Sequence, residues 1–133
     1  MQIITLNLNG IRAAAKKGFL SWLVEQSADI VCVQELKAQM PDLVEDMLKP
    51  NGYHGYFHCA EQKGYSGVGI YSRIQPDRVI EGVGIAEIDA EGRFLQVTYC
   101  QLSIISLYLP SGSSGEHRQA AKFFFMEKFF PIL

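Results

Sequence analysis

Residues able to do chemistry sit at three points of the chain. Asn7-Leu8-Asn9-Gly10, Gln34-Glu35-Leu36-Lys37 and Tyr108-Leu109-Pro110-Ser111 each follow an apolar run. They offer amides, a carboxylate with a lysine two residues on, and a phenol. A carboxylate among amide oxygens suits a hard cation such as Mg²⁺, which takes oxygen ligands and keeps several of its waters. A phenol beside them can hydrogen-bond a phosphoryl oxygen. Each residue also has a plainer reading. Asn-Gly is a turn pair in its own right, Glu35 is a solvated strand end, and Tyr108 is a half-buried strand aromatic.

For these stretches to act together, the strands before them must end at one edge of a sheet. "QIITLNLNG" alternates like a short strand and stops at Asn9-Gly10. "IRAAAKKG" is a loop or a first helical turn, and "FLSWLVEQSA" places Phe19, Leu20, Trp22 and Leu23 at helical spacing. Asp29 then opens the apolar strand "IVCVQE". Strand, helix, strand predicts a parallel pair with a right-handed crossover. In such sheets the loops after the strands share one edge, where sites form. "PDLVEDMLK" predicts a short helix with Pro41 in its first turn, where a missing N–H costs nothing. From residue 53 onward, short aromatic and β-branched runs between Gly, Pro and Asp predict antiparallel strands. "DAEG", residues 89–92, reads as a turn, and an aromatic-rich helix follows the "SGSSGE" loop.

With 133 residues and 48 % hydrophobic content, the chain is one globular domain or part of one. The last residues, "FFPIL", are apolar to the end, which suggests a fold cut in the middle. A net charge of −2 argues against a basic coat for nucleic acid, yet leaves room for a local basic face beside an acidic metal site. Cys32, Cys59 and Cys100 form no CxxC pair and read as reduced core filler. No apolar run is long enough to span a bilayer, and the first residues lack the pattern of a secretory signal. The expected setting is cytoplasmic, with no membrane partner.

Two further patterns fail on context. His54 and His58 in "HGYFH" are four apart, but on a strand that spacing is about 13 Å, too long for a chelate. "GYSGVG" looks like a phosphate loop but precedes a strand instead of opening a helix.

In order and spacing, "LNLNGIRA", "DIVCVQELK", "GYSGVGIYSR", "DAEGR" and "SIISLYLPSG" resemble the exonuclease III family of apurinic/apyrimidinic endonucleases. This family lies within the endonuclease/exonuclease/phosphatase superfamily. The resemblance implies an α/β fold, a DNase I-like sandwich, present here as its N-terminal half with a mixed sheet flanked by helices. It implies that Glu35 binds a catalytic Mg²⁺, or Mn²⁺ in its place, and that Asn7 lies against that metal. By the same resemblance Tyr108 hydrogen-bonds the scissile phosphate region, Tyr65 and Arg93 touch the DNA backbone, and Ser111 lies near the phosphate. Asn9 stands where some relatives carry aspartate. Lys37, Arg12 and Lys63 are phosphate neighbours by charge alone.

The implied reaction is metal-assisted hydrolysis of double-stranded DNA, 5′ of abasic sites and stepwise from 3′ ends. The family's "GDxN" and "SDH" motifs, which supply the water-activating aspartate and complete the site, occur nowhere in these residues. The isolated chain is therefore expected to be inactive or nearly so, and to self-associate through an uncovered sheet face. The other readings are a non-catalytic DNA-binding remnant and a phosphatase of the same superfamily; "GYSGVGIYSR" argues against the latter.

Overall fold

The computed structural model describes residues 1–110 and 116–132; Ser111 lies outside them. Ile3–Asn7 forms β1 and Ile30–Gln34 forms β2. Helices α1 (Ile11–Lys16) and α2 (Phe19–Glu25) connect them. The two strands pair in parallel, with Asn7 level with Gln34, as the strand, helix, strand order predicts. β3 (His54–His58) and β4 (Val68–Ser72) are antiparallel, and β4 lies antiparallel to β2, giving a mixed sheet of order β1-β2-β4-β3. After it come β5 (Arg78–Glu81), β6 (Phe94–Tyr99) and β7 (Leu102–Leu107), an antiparallel sheet in sequence order.

The two sheets pack face to face. Ile30, Cys32, Val68 and Ile70 of the first meet Leu95 and Val97 of the second in a buried layer. Val31 and Val33 point to the opposite face of β2, onto Phe19, Leu23 and Tyr71. β2 is thus covered on both sides, and this is why its sequence shows no polar alternation. The outer face of the second sheet packs under α5 (Glu116–Phe129), whose Phe125 and Phe129 bury against Phe94. The layers run helix, sheet, sheet, helix.

Several local expectations are revised. Residues 41–49 do not form one helix. A 3-10 turn covers Met40–Asp42, Leu43 and Val44 are extended, and α3 is only Glu45–Leu48. Leu43 is buried among the residues under the first sheet, and a continuous helix would surrender that placement. "IRAAAK" is helical throughout. Asp89 ends a helical turn, α4 (Ala86–Asp89), and its carboxylate accepts the N–H groups of Val83 at 2.7 Å and Gly84 at 3.0 Å. Cys32 is buried, but Cys100 is exposed in the β6–β7 turn and fills no core.

Helices and the opposing sheet cover much of both faces, but among the described residues the inward face is left open on the two outer strands β1 and β7. Ile3 of β1 is 46 % exposed although it stands level with buried Ile30, and Leu102 of β7 is 42 % exposed.

Candidate active site

The chain departs from regular backbone where the three polar stretches meet. Asn9 (φ 48°), Glu35 (φ 54°), Lys37 (φ 50°) and Ser66 (φ 48°) are left-handed non-glycine residues. Such residues cost about 1–2 kcal/mol each and persist where their surroundings hold them. The surroundings here are main-chain bonds between the loops. Gly10 N–H donates to Glu35 O at 2.8 Å, Leu36 N–H to Gly67 O at 3.1 Å, and Lys37 N–H to Ser66 O at 2.8 Å. Leu36 is fully buried in the core under the first sheet, so β2 ends by anchoring Leu36 and leaving Glu35 half-buried at the rim.

Tyr108 reaches Glu35 from the other sheet. Its hydroxyl donates to Glu35 Oε1. β7 can approach β2 because Ser106, buried and small, donates to Val33 O at 3.1 Å and accepts from Gln34 Nε2 at 3.2 Å. Burial, then the hydrogen bond to Glu35, pushes the Tyr108 phenol up to about 12. It therefore stays a neutral donor at any ordinary pH.

Asn7 ends β1 beside this rim. Its Oδ1 accepts the N–H of Asn9 at 2.9 Å, an Asx turn that shapes the Asn-Gly corner. Lys37 Nζ donates to Asn9 Oδ1 at 2.6 Å, so the lysine is drawn toward the β1 end. Exposed Arg12 donates to Lys37 O at 2.7 Å, which keeps a second cation at the same edge.

Tyr65 and Arg93 belong to the same cluster, but Arg93 is placed differently from a surface phosphate contact. Its side chain is 2 % exposed. Its guanidinium donates to Glu91 Oε2 at 2.6 Å, to Tyr108 O at 3.1 Å and to the Tyr65 hydroxyl at 2.7 Å. Tyr65 is half-buried and Lys63 is exposed on the same loop. That loop is tied down through Gly67 N–H to Gly92 O at 3.1 Å. Gly92, at φ +59°, passes so close to residues 58–60 that a Cβ would stand 2.5 Å from Ala60 N. Ser111 falls outside the described residues.

The donors at the rim are oxygens only: the Glu35 carboxylate and the Asn7 amide. That chemistry fits a hard cation keeping most of its waters. Among the described residues no three His, Cys, Asp or Glu side chains gather as a metal cluster, so Glu35 is the anionic ligand these residues would offer. The two histidines stand at opposite ends of β3, too far apart for a chelate, and His58 Nδ1 lies 2.9 Å from Phe94 O. Sequence reading overlooked Ser106, Ser66 and Glu91. Ser106 had a signal, a polar residue inside the apolar run "SIISLYLP"; the left-handed backbone of Ser66 and the pairing of Glu91 had none.

Among the described residues, no helix is long and apolar enough to cross a membrane. Residues 4–127 match the model of the Endonuclease/Exonuclease/phosphatase family. An exodeoxyribonuclease of Bacillus subtilis is 41 % identical over 119 residues, covering 89 % of this chain and 46 % of that protein. A DNA-(apurinic or apyrimidinic site) endonuclease of Dictyostelium discoideum is 34 % identical, covering 89 % of this chain and 33 % of that protein. The solved structure of an AP endonuclease from Archaeoglobus fulgidus superposes with a TM-score of 0.85 at 29 % identity, over all of this chain and 51 % of that one. The chain thus spans about half or less of the relatives it matches. It belongs to the endonuclease/exonuclease/phosphatase family.

Proposed function

We propose that this chain carries part of the active site of a divalent-metal-dependent DNA-repair nuclease that incises double-stranded DNA at abasic sites and trims its 3′ ends. One observation carries the reading. Glu35 is held in a left-handed conformation at the end of a buried strand, and a phenol from the opposing sheet hydrogen-bonds its carboxylate. A structural carboxylate needs neither the strained backbone nor a donor brought from another sheet. The names of the relatives, an exodeoxyribonuclease and an abasic-site endonuclease, support DNA as the substrate.

In this reading Glu35 and Asn7 hold Mg²⁺, with Mn²⁺ able to replace it. A bound divalent cation would stabilise negative charge on the phosphate and on the leaving oxygen. Tyr108, neutral at working pH, gives its single hydroxyl hydrogen to Glu35 and so orients that carboxylate beside the phosphate. Lys37 and Arg12 supply positive charge at the same edge, and Tyr65 borders it. Such contacts read the backbone and not the bases, so binding is expected to weaken steeply with salt.

No general base is identified among these residues. Loss of such a group alone typically lowers rates by about 10²–10⁴-fold, so the 133-residue chain is expected to cleave at a small fraction of the rate of a protein carrying "GDxN" and "SDH". The test is cleavage, with Mg²⁺, of a duplex containing one abasic-site analogue. The chain would be assayed alone and fused to a second half bearing those motifs. Cleavage by the fusion that disappears with Glu35→Ala supports the reading. Cleavage that survives Glu35→Ala, or none from the fusion with either metal, overturns it.

A further inference from the structure

We propose that Arg93 is a positioning residue, which fixes Tyr108 on Glu35 through its bonds to the Tyr108 main chain and the Tyr65 hydroxyl. Among the described residues Arg93 heads the fully buried side chains by size. Burying a guanidinium is costly unless its donors are met, and a well-packed apolar residue would usually serve stability as well or better. Here all three nitrogens are used. Nε is on Glu91, Nη1 is on Tyr108 O and Nη2 is on Tyr65. The guanidinium carbon also lies 5.4 Å from the Tyr108 ring centre and 5.7 Å from that of Tyr65.

The consequence is a grip on Tyr108 from two sides. The Tyr108 N–H donates to Arg93 O at 3.0 Å while the Arg93 side chain donates back to Tyr108 O. Tyr108 follows the last residue of β7, and its N–H bond to Arg93 O is the last main-chain tie across to β6. Without the clasp its ring would be free to leave Glu35. The planar fork of arginine meets three acceptors in three directions, which a lysine ammonium on a flexible stem does not reproduce. With its side chain 2 % exposed and a bond from each of its three nitrogens, Arg93 is placed to act on DNA through Tyr108 and Tyr65.

The inference rests on the reading of Glu35 as the working carboxylate, but its test does not use activity. The measurement is the hydroxyl proton resonance of Tyr108 in the 133-residue chain, assigned by its disappearance in Tyr108→Phe. A hydroxyl held on a carboxylate is expected downfield and slow to exchange. Arg93→Lys, which keeps the charge, is expected to abolish the resonance, and Tyr65→Phe to make its exchange several-fold faster. Arg73→Lys is the control for simple loss of stability. Arg73 is also an anchored arginine, 4.2 Å over the Tyr53 ring and donating to Ala28 O at 3.1 Å, but it makes no bond to Tyr108. That variant should leave the resonance in place. A Tyr108 resonance unchanged in Arg93→Lys, or lost equally in Arg73→Lys, overturns the proposal. Should Arg93→Lys fail to fold, Tyr65→Phe decides alone, with unaltered exchange counting against it. Failure here leaves the proposed DNA chemistry standing, and absence of DNA cleavage leaves this positioning role standing.

Discussion

Tyr108, one residue past the end of the second sheet, donates its phenolic hydrogen to Oε1 of Glu35, one residue past the end of a strand in the first. The bond closes the sandwich at this rim. It makes Tyr108 sensitive to alkali in a definite direction. The phenol is raised to about 12 by burial and by Glu35, whereas in the unfolded chain it titrates near 10. Between those values the folded state holds the proton and the unfolded state does not, so stability falls as pH rises. Its contribution is complete below about pH 10 and gone above about 12. Cys32 and Cys59, both raised to about 11 by burial, add to the alkaline loss. The comparison is therefore with Tyr108→Phe, which should lose less stability between pH 10 and 12 in urea denaturation. Parallel curves for the two proteins would contradict the coupling.

In the proposed reading Glu35 is the anionic metal ligand, so removing its charge should be felt directly in metal affinity. Titration with Mn²⁺, followed by the electron paramagnetic resonance of the free ion, is expected to show weaker binding in Glu35→Gln by about tenfold or more. Tyr108→Phe, which takes away an orienting hydrogen bond but no ligand, should weaken binding less. Equal affinity in wild type and Glu35→Gln would place the metal elsewhere.

The parallel β1–β2 pair and the convergence of Asn7, Glu35 and Tyr108 were legible in the sequence. Hydrophobic period and turn residues determine where strands end, and strand ends determine where a site can form. What was not legible depends on contacts between distant segments. Residues 41–49 carry helical spacing, yet the core beneath the first sheet takes Leu43 and breaks the helix. Arg93 looks like any surface arginine in "EGRFL"; its burial depends on two tyrosines from residues 65 and 108. The covering of the second sheet by α5 likewise needed Phe125 and Phe129 to find Phe94.

Gly67 tests how tightly the loops at the rim are matched. It has φ +90°, and a Cβ there would stand 3.0 Å from Leu36 Cβ. Gly64, on the same loop at φ +68°, has open space around it. Each Gly→Ala change meets the left-handed penalty of about 1–2 kcal/mol. Only Gly67→Ala also presses on the residue beside Glu35. The expected result is a larger fall in the urea midpoint for Gly67→Ala than for Gly64→Ala, at unchanged slope. Equal shifts would show that Leu36 yields freely and does not set the Glu35 loop.

The cysteines give an independent check on the layering. Cys32 is buried between the sheets and its thiol is pushed up to about 11, so about a thousandth is thiolate at pH 8. Cys100 is exposed in the β6–β7 turn, where its N–H donates to Asp77 Oδ2 at 2.7 Å. A disulfide-exchange reagent at pH 8 is therefore expected to modify Cys100 first, with Cys100→Ser removing the fast phase. Cys32 should react only as the sandwich opens, at a rate that climbs with urea in step with unfolding. A fast phase that persists in Cys100→Ser and is removed by Cys32→Ala would mean that the two sheets do not seal β2 between them.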